Sequence, residues 1–117
     1  MKGENISIRL RCFAACVITL CRALPKEIAT THIARQLIRA ATSGGANYEE
    51  ARGAESRDDF AHKIAIANKE MREALYWLQL IDEANLAPGG MTVKLAKEAD
   101  ELVAILTSSL RTVRNSA

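Results

Sequence analysis

The sequence predicts an all-α fold: an antiparallel up-down-up-down four-helix bundle, with residues 1–117 as a single domain. Three observations lead there. Aromatic residues are only 4% of the chain, with six glycines and two prolines, too few for the strands and turns of a β-sandwich or barrel. Four segments repeat apolar residues at alternating spacings of four and three, the signature of a helix stripe. Short breaks separate them, at Pro25, around Gly53 and at Pro88-Gly89-Gly90, and short connections make successive helices antiparallel neighbours.

The first helix is read from Asn5 to Leu24, with Ile6, Leu10, Phe13, Val17, Leu20 and Leu24 on one stripe, and Pro25 ends it. The second opens at Thr30 or Thr31, either of which can serve as N-cap. Ile33, Leu37, Ala40, Gly44, Tyr48 and Ala51 form its stripe. Gly44 and Gly45 each cost about 1 kcal/mol against alanine, yet the register runs unchanged through them. That favours a continuous helix whose small residues, Ala40, Ala41, Gly44 and Gly45, admit a close neighbour. Gly53 is its expected stop. The third opens with Ser56-Arg57-Asp58-Asp59, close to a capping box and acidic in its first turn. Phe60, Ile64, Ala67, Met71, Ala74 and Leu78 follow, and the helix is read to Asn85. The fourth begins at Thr92 and carries Leu95, Ala99, Leu102, Leu106, Ser109 and Val113.

Sixteen basic and fourteen acidic side chains leave a net charge of +2, too mild to indicate nucleic-acid binding from composition alone. The distribution says more. Residues 1–22 sum to +3 and residues 55–86 to −3, so the two segments can adjoin within a bundle or between subunits. Cys12, Cys16 and Cys21 share one short stretch. An odd number on one helix is no disulfide framework, and reduced thiols suit a cytosolic protein. Cys12 and Cys16, four apart, can share a soft metal, but no fourth ligand is evident. Residues 12–21 match a signal-peptide core in length. Glu4 before the run, Arg22 directly after it and the lack of a small-x-small cleavage site argue against that role. The run is also too short to span a bilayer. A cytoplasmic location is expected.

The third helix has a second stripe, Asp59, Lys63, Ile66, Glu70, Glu73 and Trp77, about 100° around from the first. Asp59–Lys63 and Lys69–Glu73 suit a solvated, salt-bridged face. The sole tryptophan suits a half-buried one, where Glu70 or Glu73 pairs with Arg39 or Asn47 of the second helix or with another subunit.

The stretch from Gln36 through Arg39, Ser43, Asn47 and Glu50, continued by Ala54-Glu55-Ser56 and Asp59-Phe60-Ala61-His62-Lys63, carries a resemblance that Lys69-Glu70, Glu73 and Tyr76-Trp77-Leu78 extend. It is similar to the small four-helix bundle proteins of bacterial 23S rRNA intervening sequences, the ribosomal-protein-S23-like family. That group also resembles the accessory proteins of diversity-generating retroelements. The resemblance is most specific over residues 36–81; the cysteine-bearing first helix departs from it, and larger residues often stand in the family where this chain has Gly44 or Gly45. It implies a left-handed bundle in a ring-like homo-oligomer, most often a pentamer, with no catalytic activity and a role associated with RNA or a reverse transcriptase. It places recurrent polar positions at Arg39, Ser43, Asn47, Glu50, Ser56, Asp59, Glu70 and Glu73.

Catalytic and metal chemistry find little footing. A di-iron bundle needs Glu-x-x-His on two helices and a further Glu from each of the others. Here only Asp59-x-x-His62 comes near, and His32 has no carboxylate three residues before it. Ser43 lacks a nucleophile-elbow context, and Gly44-Gly45 opens no phosphate loop. The chain is read as a non-enzyme with no cofactor, no metal, no small-molecule substrate and no membrane partner. Arg39, Asn47, Glu50, Asp59, Lys63, Glu70, Glu73 and Trp77 are the candidate oligomer or partner interface. Lys2, Arg9, Arg11, Arg111 and Arg114 gather with Arg52 and Arg57 toward one pole and are the candidate nucleic-acid contacts, although Glu49, Glu50, Glu55, Asp58 and Asp59 share that pole. The expected function is an oligomeric, RNA- or nucleoprotein-associated accessory factor, the alternative a protein adaptor that binds no nucleic acid.

Overall fold

The computed structural model describes residues 2–87 and 89–116; the Lys2 side chain and Pro88 lie outside the described residues. Four helices follow one another: α1 (Lys2–Ala23), α2 (Ile28–Arg52), α3 (Arg57–Glu83) and α4 (Met91–Asn115). They form a rod about 49 Å long and 20 Å across. α1 packs against α2 and α4, and α3 packs against the same two, with the α2–α3 seam the most extensive. This is the four-helix bundle that the stripes predict.

The stripes form its interior. Leu10, Phe13, Val17 and Leu20 of α1 meet Leu37, Ala40, Ala41 and Tyr48 of α2, Ile64, Met71, Leu78 and Ile81 of α3, and Leu95, Leu102 and Leu106 of α4, all buried. Ile6, Phe60, Ser109 and Val113, expected on the same stripes, are only half-buried. They sit toward the pole formed by the start of α1 and the end of α4, where no further turn covers them.

α2 runs unbroken through Gly44 and Gly45. A Cβ at Gly44 would lie 2.8 Å from the Met71 sulfur, whereas one at Gly45 would lie 3.6 Å from Leu10 Cβ. Only Gly44 is therefore required by close packing. The start of α2 differs from the sequence reading. Ile28 is its first residue and Glu27 its N-cap. Thr30, three positions in, caps in reverse: its hydroxyl accepts from the Glu27 N–H at 3.2 Å and donates to the Pro25 carbonyl. Gly53 does end α2, but at φ −98° it stays outside the left-handed region.

α3 starts as its sequence foretells, with Ser56 Oγ accepting from the Asp59 N–H at 3.0 Å. Its end is a Schellman turn. Leu86 N–H reaches the Ile81 carbonyl and Asn85 N–H the Asp82 carbonyl, while Asn85 takes the left-handed conformation, φ 55°, usually given to glycine. Between α3 and α4, Asn68 Nδ2 donates to Thr107 Oγ1 at 3.1 Å. Asn68 Oδ1 is buried with no partner among the described residues.

Candidate functional site

The outward seam between α2 and α3 gathers most of the polar residues singled out in the sequence. Helical periodicity places Arg39, Ser43, Asn47 and Glu50 on the α3-facing edge of α2, and Asp59, Lys63, Glu70, Glu73 and Trp77 on the α2-facing edge of α3. Arg39 forks across the seam: Nη1 donates to Glu70 Oε2 at 2.9 Å and Nη2 donates to Glu73. One guanidinium thus holds two carboxylates, and Glu70 and Glu73 both pair with Arg39 within the chain. Farther toward the pole where α2 ends and α3 starts, Lys63 Nζ donates to Glu50 at 2.7 Å. Glu50 raises the Lys63 pKa first by that hydrogen bond and then by its charge, with Asp59 adding a smaller attraction. Asn47 does not cross the seam. Its amide turns back to Ser43, donating to the carbonyl at 2.9 Å and the hydroxyl at 3.2 Å.

Trp77 completes the seam. It is half-buried, and its indole N–H donates to Glu73 Oε2 at 3.0 Å. That bond, together with Arg39, holds the Glu73 carboxyl below its ordinary pKa. His32 of α2 meets the indole edge-on at 6.0 Å between ring centres, and Tyr76 does so at 5.0 Å. The indole is therefore fixed on three sides, with its polar atom already satisfied. Tyr76 beside it is 56% exposed, and Ile28, one turn of α2 before His32, is 91% exposed. Sequence reading missed Ile28 and, although it names Tyr76 and His32, places neither at this site. Ile28 fell before the expected start of α2, and Tyr76 and His32 lie off both stripes.

The candidate cations are less uniform. Arg9 is held by Glu98, with contacts of 2.6 and 3.0 Å, and reaches Glu101 at 3.4 Å, which ties α1 to α4. Arg57 donates to the Ser116 carbonyl at 2.9 Å. Arg11, Arg111 and Arg114 are exposed and form no ion pair among the described residues. Cys12 and Cys16 are exposed free thiols. Burial pushes the Cys21 thiol up to about 11, which leaves it protonated and unreactive.

Residues 7–108, which contain the whole of this seam, match the family described as 23S rRNA-intervening sequence protein. The chain belongs to that family. A crystal structure of a protein of unknown function, from the S23 ribosomal protein family of Bacteroides thetaiotaomicron, has the same fold with a TM-score of 0.86. The two sequences are 31% identical, over 95% of this chain and 99% of that one. None of the curated proteins matches the sequence. The matched 23S rRNA-intervening sequence region stops short of Arg111 and Arg114 and begins after Lys2, so three of the five candidate cations lie outside it. No described helix is long and apolar enough to cross a membrane.

Proposed function

We propose that this chain is a non-enzymatic, cytoplasmic bundle that assembles with copies of itself through the Trp77 flank and serves as an RNA- or nucleoprotein-associated accessory factor. The observation that carries the assembly is the fixed aromatic platform: an indole with its N–H spent inside the chain, against largely exposed Tyr76, with exposed Ile28 one turn of α2 from His32. Covering the indole costs it no hydrogen bond, and ordered aromatic side chains are favoured anchors at interfaces. The resemblance implies a ring, most often of five copies.

The association with RNA is supported by the family's description, which links its members to 23S rRNA intervening sequences, and by Arg11, Arg111 and Arg114, exposed and free of acidic partners among the described residues. A ring would present each cation several times, and multivalent phosphate contact strengthens steeply with copy number. A specific observation favours the adaptor reading: Arg9 and Arg57 are already engaged within the chain.

Gel retardation of a structured RNA at several salt concentrations separates the two. The RNA reading expects a shift that weakens with salt and is reduced in an Arg111→Gln, Arg114→Gln variant. No shift at low salt rejects it in favour of the adaptor.

A further inference from the structure

The outer face of α1 carries a pair of thiols that neither the α2–α3 seam nor the proposed assembly uses. Cys12 and Cys16 are exposed and free, whereas Cys21 farther along the helix is half-buried. Four residues apart on one continuous helix, the pair stands about 6 Å apart along the axis and about 40° apart around it. Their Cβ atoms are then about 5–6 Å from each other. The core holds this spacing. Phe13 and Val17, each next in sequence to one of the cysteines, are buried, as are Leu10 and Leu20, so the turn between the thiols cannot unwind without pulling core residues out. On the water side, Ala15 and Thr19 are exposed beside the thiols. Both are short, and the Thr19 hydroxyl donates back to the Ala15 carbonyl at 3.2 Å, so neither covers the sulfurs.

The sequence expectation of no metal counts four ligands, the number zinc takes in a closed site. Among the described residues no group of three His, Cys, Asp or Glu side chains converges on one point, so a single chain offers zinc no closed site here. Calcium and magnesium call for oxygen ligands, which a thiol pair does not provide. Monovalent copper differs from all of these: it is selected by soft thiolate sulfur, and two thiolates in line satisfy it. Two metal–thiolate bonds of about 2.3 Å each span at most about 4.6 Å, a separation that thiols with this Cβ spacing reach by side-chain rotation alone.

We propose that Cys12 and Cys16 clasp one monovalent copper ion per chain across a single turn of α1. Each thiol gives its proton to solvent and each sulfur donates an electron pair to the ion; no electron is transferred, and two thiolates with one Cu+ carry a net charge of −1. Arg11, next to Cys12, is exposed and forms no ion pair among the described residues, and its positive charge offsets that excess. Glu4 is the one acidic residue of α1, two turns before Cys12, so the helix places no carboxylate against the complex. The site is separate from the Trp77 flank and from Arg111 and Arg114, and it stands or falls independently of the function proposed above.

Titration of the reduced chain with monovalent copper under anaerobic conditions, in competition with a colorimetric chelator of that ion, tests the clasp. One equivalent per chain is expected, with two sulfur neighbours at the metal by X-ray absorption once the chelator is removed. Cys12→Ser and Cys16→Ser each weaken binding about 10²-fold, because the second thiolate no longer acts at high effective concentration. Cys21→Ser leaves binding unchanged. A variant that keeps two thiols but turns them to different sides of α1, Cys16→Ala with Ala14→Cys, weakens it as much as Cys16→Ser, with helix content unchanged by circular dichroism. Wild-type affinity in that displaced-thiol variant, or in Cys12→Ser, overturns the clasp, as does loss of binding in Cys21→Ser. Three or four sulfur neighbours, with one ion shared between chains, overturn it in favour of a site between copies.

Discussion

Gly44 and Gly45 adjoin in α2 but stand in opposite situations, and alanine at each separates packing from propensity. Either substitution gains about 0.8–1.0 kcal/mol of helix propensity. At Gly45 the new methyl meets Leu10 Cβ at 3.6 Å, an ordinary contact, so the gain survives. With about 2.1 cal/mol/K of unfolding entropy per residue over 117 residues, 1 kcal/mol shifts the melting temperature by about 4 °C. Gly45→Ala is expected to melt about 4 °C higher. At Gly44 the methyl falls 2.8 Å from the sulfur and 3.0 Å from Cγ of Met71, which is fully buried. Overpacking of a filled core costs about 1–3 kcal/mol, moderated here because the clash meets the flexible end of a methionine. Gly44→Ala is therefore expected to melt between no change and about 8 °C lower. Thermal circular dichroism at one fixed protomer concentration reads both. If Gly44→Ala stabilises as much as Gly45→Ala, the close approach of α3 to Gly44 is wrong.

Three further outcomes follow from particular contacts. Trp77 and Arg39 depress the Glu73 pKa, so stability from this group is present above its ordinary value of 4.5 and is lost as pH falls through the lower folded value; Glu73→Gln should flatten that part of a melting-temperature profile in acid, and an unchanged profile rejects the linkage. Asn85 holds the left-handed position of the Schellman turn, so Asn85→Gly should be neutral or slightly stabilising while Asn85→Ala costs about 1 kcal/mol by urea unfolding. Ser56→Ala removes the α3 cap and should cost about 1 kcal/mol in the same assay; no loss means the Asp59 N–H finds another partner.

Much of the fold was legible because burial leaves a period in the sequence. The seams through Phe13, Leu37, Met71 and Leu102 needed only the four-and-three spacing, and an unchanged register carried α2 across two glycines. Local signals with a fixed offset, such as Ser56 before Asp59, read equally well. Thr30 misled because a threonine can cap forward as N-cap or backward from the third position, and the choice depends on where Pro25 leaves the chain. The seam was legible in membership and only partly in pairing. Arg39, Glu70, Glu73 and Trp77 come together, while Asn47 turns to its own helix and Arg9 reaches across to Glu98. Long side chains choose partners by the axial offset between helices, which no single-helix pattern encodes. Ile28 and Tyr76 were not assigned to the site for a different reason: they lie off every stripe, although Tyr76 belongs to the family-like run Tyr76-Trp77-Leu78.

The Trp77 flank is proposed as a contact between copies of this chain. Light scattering of the purified protein across a range of concentrations tests it most directly. Self-assembly through this flank gives a mass several times the 12.8 kDa of one chain, falling toward one chain in Trp77→Ala; a wild-type mass of one chain at every concentration, or a Trp77→Ala assembly of unchanged size, contradicts it.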